Sequence, residues 1–175
     1  MVQNKLEDAL TEFREALRLQ PDSAETHQAL SAALFEKGDL DGAIAEYRQA
    51  ILLGQDRPGA RISLGLALYV KGDLNGAIAE YRQAVRLDPN DAASHLQLGN
   101  ALAERPDLGA ALTEFREAVR LRPDSAAAHD ALGSVLEQTN ELRSALEHYR
   151  IAYDLEPGNR DYRFHYEHLL DRLST

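Results

Sequence analysis

The chain has 175 residues, 44% of them hydrophobic and none of them cysteine, with 19 Lys and Arg against 29 Asp and Glu for a formal charge of −10. That charge repels a phosphate backbone or an anionic lipid surface, and the lack of cysteine excludes disulfides, thiolate metal sites and cysteine nucleophiles. No window approaches the run of about 18 apolar residues that reads as a membrane helix, and "MVQNKLEDALTEF" lacks the basic-then-apolar order of a signal peptide, so a soluble, cytoplasmic protein is expected.

The first expected element is a helix over about 4–19, where Ala9, Phe13 and Ala16 share one face. Pro21 follows it, and Asp22 and Ser23 are placed to cap a second helix whose apolar stripe is Leu30 with Leu34. Gly38 ends that helix, because glycine takes the left-handed conformation at little cost. From Gly38 the chain reads "GDLDGAIAEYRQAI", and from Gly72 it reads "GDLNGAIAEYRQAV", the same phrase 34 residues later.

The period runs from end to end. Ala9, Ala43, Ala77, Ala111 and Ala145 align, and so do Phe13, Tyr47, Tyr81, Phe115 and Tyr149. Three residues after each aromatic stands Ala16, Ala50, Ala84, Ala118 or Ala152, and five further on come Pro21, Pro89, Pro123 and Pro157. After the later prolines Asn90 with Asp91, and Asp124 with Ser125, repeat the capping pair, and the stripes recur as Leu64 with Leu68, Leu98 with Leu102, and Leu132 with Leu136. Each unit therefore reads as a helical hairpin in which small residues flank an aromatic. Asn140 can end its helix as glycine does, whereas Pro106 in "ERPDL" cannot, and a local departure is expected there.

These residues resemble the tetratricopeptide repeat, a helix-turn-helix of 34 residues. Leu64-Gly65, Leu98-Gly99 and Leu132-Gly133 carry that family's Leu-Gly pair. His27, Arg61, His95 and His129 stand where the family has tryptophan, and Leu34, Leu68, Leu102 and Leu136 stand where it has a tyrosine. The resemblance implies an all-α, right-handed α-solenoid of about ten helices, a single superhelical domain over 1–175. Complete repeats are expected at 24–57, 58–91, 92–125 and 126–159, after a lone second-type helix at 4–19 and before a cap helix at 160–173. One hairpin cannot bury its apolar face alone, so similar hairpins stack.

Little in the chain points to catalysis. There is no phosphate-binding glycine loop and no nucleophile elbow, and the carboxylates are scattered rather than paired in an apolar pocket. No cofactor is expected. His165 and His168 in "HYEH" lie one turn apart, but without a fixed third ligand they are expected to solvate a cap rather than to hold a metal. His27, His95 and His129 are expected as half-buried packing residues. Arg14, Arg48, Arg82, Arg116 and Arg150 form a ladder, and Glu12, Glu46, Glu80 and Glu114 keep the same period two residues earlier. That pattern predicts a solvated, charge-balanced face.

In the family the first helix of each hairpin lines a concave surface that receives a peptide or a helix. Carried over by position, the partner-binding residues here are Phe35, Ile62, Leu66, Tyr69, Leu96, Gln97, Asn100, Asp130 and Glu137. The middle of that set is apolar, a mark of partner sites. A non-catalytic scaffold is expected, taking a protein or peptide with aliphatic anchors and basic flanks. Only Asn100 fits the clamp with which some members hold acidic tails, so capture of peptides ending in acidic residues is not expected. End-to-end assembly, or a repeat arm of an enzyme such as a glycosyltransferase, are the alternatives. The charged final helix, with Glu167 in the glycine position, favours a monomer over weak head-to-tail association.

Overall fold

Helices approach closely only where small side chains meet, and the repeat supplies them in register. The structure, a computed structural model, describes residues 2–106 and 108–174, with side chains from residue 5 onward. Among the described residues there are ten helices and no strand: α1 (Val2–Leu19), α2 (Ala24–Lys37), α3 (Leu40–Leu52), α4 (Pro58–Lys71), α5 (Leu74–Leu87), α6 (Ala92–Ala103), α7 (Gly109–Leu121), α8 (Ala126–Gln138), α9 (Leu142–Leu155) and α10 (Arg160–Ser174). They fall into two compact units, Met1–Pro89 and Asn90–Thr175. None of these helices is long and apolar enough to cross a membrane.

In the first unit, α2 pairs with α3 and α4 with α5, and α1 packs on α2 as α3 packs on α4. Ala43, Ala77 and Ala84 are wholly buried, Ala50 nearly so, and Tyr47 and Tyr81 fill the space between them. A Cβ added to Gly65 would meet the Tyr81 ring at 2.5 Å, so the missing side chain is what seats the aromatic. Ser31 holds the corresponding place in α2, fully buried, with its hydroxyl donating to the Gln28 carbonyl at 2.7 Å. The second unit repeats the scheme, with Phe115 against Gly99 and Tyr149 against Gly133. There α6 pairs with α7 and α8 with α9, while α7 packs on α8 and α10 on α9.

The turns follow from local chemistry. Gly38 and Gly72 take φ of 85° and 92°, and the next amide, of Asp39 or Asp73, donates back to the carbonyl of Leu34 or Leu68 at 2.9 and 2.8 Å. The same aspartates then cap α3 and α5, accepting from the amides of Gly42 and Gly76 at 3.0 and 2.8 Å. Ser23, Asp91 and Ser125 cap α2, α6 and α8 in the same way. Pro58 opens α4 from the first-turn position that suits it, with no side-chain cap. Asn140 adopts φ 65° and is the one non-glycine residue with positive φ among those described. The "ERPDL" turn departs as expected: α6 stops at Ala103, and α7 starts after Leu108 with no side-chain cap. Asp107, which falls where Asp39 and Asp73 fall in their repeats, lies outside the described residues.

This packing separates two kinds of position. Ala77→Asp places a charge in a site with no exposure and no partner, a change that costs on the order of 3–5 kcal/mol. Leu66→Asp changes a residue that is 40% exposed, and its effect is expected to stay within about 0.5 kcal/mol. Chemical denaturation followed by circular dichroism should show an early loss of helix in the first variant and a near-native midpoint in the second. Equal destabilisation by both would place Leu66 in the core.

Candidate partner-binding faces

Each first helix buries one stripe and leaves another. In α4 the buried residues are Ala60, Leu64, Gly65, Ala67 and Leu68. Helical spacing then puts Ile62, Leu66, Tyr69 and Val70 on one other face. Ile62 is half-buried, whereas Leu66 and Tyr69 are 40% and Val70 54% exposed. Four apolar side chains are thus left by the hairpin core. Burial lifts the Tyr81 hydroxyl, on the other side of α4, to about 12, and nearby Tyr69 adds to the rise. In α2 the position equivalent to Tyr69 is Phe35, half-buried, followed by exposed Glu36. The N-terminal ends of α2 and α4 are tied together, as Arg57 donates to Gln28 at 2.8 Å and Gln55 to Glu25 at 3.0 Å.

The second unit presents a different surface. On α6, Leu96 and Gln97 are half-buried and Asn100 is exposed. Asp130 and Glu137 on α8 are engaged by α10. The Asp130 carboxylate lies 2.7 Å from His165 Nδ1, and Glu137 accepts from Arg172 and, at 3.1 Å, from the Tyr149 hydroxyl. Burial raises the Asp130 pKa above the usual carboxylate value, against the pull of His165. Tyr149 is raised by burial and by Glu137 beside it. His168 turns away from His165's partner and stacks on Phe164, with ring centroids 5.5 Å apart. Among the described residues, no three His, Asp or Glu side chains gather as metal ligands.

A set of polar links lies outside what the sequence pattern predicts. His27 Nδ1 meets Glu46 at 2.5 Å, Arg61 meets Glu80 at 2.7 Å, and His95 Nδ1 meets Glu114 at 2.7 Å. His129 meets His148 at the same offset of 19 residues, Nδ1 to Nδ1 at 2.9 Å. Each link joins the two helices of one hairpin. Consequently Glu46, Glu80 and Glu114 are half-buried, and the expected charge-balanced outer face is not formed. Residues two apart on a helix point some 200° apart, so the glutamates turn in where the arginines turn out. Glu12 is exposed. Arg61 is further held by Asp56 at 2.7 Å, and these two carboxylates, Asp56 first, raise its pKa.

The His–His link is oriented by a third group. His129 Nε2 lies 3.0 Å from the Pro123 carbonyl, which only accepts, so that nitrogen carries the hydrogen.

Repetition of this hairpin, with small residues and an aromatic at fixed places, defines an all-α repeat protein. A TPR repeat model matches residues 32–72 and 65–105, and a tetratricopeptide repeat model matches 96–160. The chain belongs to the tetratricopeptide repeat family. It is similar to the crystal structure of YrrB, described as a TPR protein with an unusual peptide-binding site, at 25% identity and a TM-score of 0.76, over 95% of this chain and 85% of that one. TTC0263, a thermophilic TPR protein of Thermus thermophilus, matches at 25% identity and a TM-score of 0.72, over 97% and 92%. PilF of Pseudomonas aeruginosa shares the fold at 20% identity and a TM-score of 0.84, over 98% and 78%. No curated protein sequence matches the chain.

Acid should act on the α8–α9 hairpin. His148 is held below its ordinary pKa of 6.5 by burial first, then by His129, with Arg116 adding to the fall and Glu147 opposing it. The unfolded chain therefore takes up the proton first. The stability this group contributes is complete above about pH 6.5 and is lost as the pH falls through that value toward the folded pKa. His148→Glu restores the residue found at the other three links. Its melting temperature should fall less than that of the wild type between about pH 7.5 and 5.5, and an equal fall would remove His148 as the cause.

Proposed function

We propose that this chain is a non-catalytic binding module whose first helices hold a peptide or protein partner, with the centre of the contact on α4. The observation that carries the reading is the stripe of Ile62, Leu66, Tyr69 and Val70, apolar and left out of the hairpin core. Phe35 extends an apolar surface onto α2 of the same unit. Aliphatic side chains of the ligand are its anchors. Glu25 and Glu36 on α2 favour basic residues beside them. In the second unit Leu96, Gln97 and Asn100 offer a face of their own on α6, while Asp130 and Glu137 on α8 are held by α10 side chains. Similarity to YrrB, named for a peptide-binding site, supports a peptide as ligand. The same reading takes the chain as a monomer, since α10 exposes Arg163, Glu167 and Asp171.

Selection of peptides from a random displayed library against the wild-type chain tests this. Enriched peptides should carry aliphatic anchors and lose at least tenfold in affinity for Leu66→Asp, whose fold is intact by circular dichroism. Peptides that bind Leu66→Asp and wild type alike would overturn the α4 assignment.

A further inference from the structure

The inward turn of the glutamates leaves the outer face of the first unit with an uncompensated charge. On α3 the exposed residues after Asp41 are Ala45, Arg48, Gln49 and Leu52, and on α5 those after Asn75 are Ala79, Arg82, Arg86 and Leu87. Asp41 is paired with Lys71, and the next carboxylate, Asp88, lies beyond the end of α5. Among the described residues no carboxylate pairs with Arg48, Arg82 or Arg86. Arg82 and Arg86 even stand one turn apart, an arrangement of like charges that opposes the helix.

Two of the other second helices match an arginine of their last turns with a glutamate. In α1, Glu15 pairs with Arg18 at 2.8 Å, and in α7, Glu117 pairs with Arg120 at 2.5 Å. The positions of Glu15 and Glu117 in the repeat are held by Gln49 in α3 and Gln83 in α5. Arg86 stands in the repeat where Arg18 and Arg120 stand, and it lacks their glutamate. Beside Arg48 and Arg86, Leu52 is 76% and Leu87 45% exposed.

We propose that this outer face of α3 and α5, with Arg48, Arg82 and Arg86 beside Leu52 and Leu87, binds an acidic amphipathic polypeptide segment. The guanidinium fork matches carboxylates bidentately, and the leucines take aliphatic side chains of the same segment. Three arginines fall short of the roughly four to eight basic residues that hold a protein on an anionic membrane. The face is separate from the α4 stripe, so the proposal stands independently of the partner-binding reading above.

The test uses the full chain and a fluorescein-labelled helical peptide of about 18 residues built from Glu and Leu, followed by fluorescence anisotropy. A Gln-for-Glu version of the peptide and vesicles containing phosphatidylserine serve as competing probes. Wild type and Leu66→Asp should bind the acidic peptide equally, with affinity that falls as salt rises. Arg48→Glu, Arg82→Glu and Arg86→Glu together should weaken binding at least tenfold with helix content unchanged. Gln83→Glu, which gives Arg86 the carboxylate that Arg18 and Arg120 have, should weaken it about threefold, and it decides the matter if the triple variant fails to fold. No binding by the wild type, equal binding by the arginine variants, a loss with Leu66→Asp, or a preference for the Gln peptide or the vesicles would each overturn the proposal.

Discussion

The close approach of two helices at a small residue is the constraint on which the rest of the structure depends. Tyr81, Phe115 and Tyr149 reach Gly65, Gly99 and Gly133 at distances that leave no room for a Cβ, and each is flanked by alanines with no exposure. Burial of one such ring contributes roughly 1.5–3 kcal/mol, and it is available only if the facing helix is bare at that point. Each first helix is therefore committed along one stripe. The remaining stripe of α4 has no part in this contact and is free to carry apolar residues for another purpose.

Beside the aromatic seat, each hairpin carries a polar link between residues 19 apart. The four links are His–Glu, Arg–Glu, His–Glu and His–His. Since the chemistry varies while the place does not, the hairpin geometry fixes the slot and the side chains adapt to it. Half-buried polar pairs of this kind add little net stability, but leaving one partner alone costs more than the pair contributes. Their wider effect is on charge, because glutamates that bond within the hairpin no longer balance the arginines outside it.

What was legible in the sequence was whatever depends on contacts close along the chain or on a single helical face. The caps at Ser23, Asp91 and Ser125, the glycine ends at Gly38 and Gly72, the positive φ of Asn140 and the departure at Pro106 all follow from local backbone chemistry. Ala43 and Tyr47 four apart, with Ala50 three further on, reveal the packing face directly. Glu46 was opaque for the opposite reason: its partner, His27, lies across a turn, and adjacency to Arg48 in sequence says nothing about adjacency in space. The same holds for Asp130, whose bond to His165 joins residues 35 apart on different helices.

The two units differ in what a ligand would meet on their first helices. Under the proposed reading a ligand on α4 would displace water from the exposed side chains of Leu66 and Val70. A ligand on α8 would first have to release Asp130 from His165 and Glu137 from Arg172, gaining only if it replaced those charge-assisted bonds with equivalent ones. An exchange of that kind sets which ligand groups are tolerated more than how tightly they are held. Under the proposed reading the apolar stripe of α4 therefore offers contact area, whereas the carboxylates of α8 offer only an exchange of bonds already made.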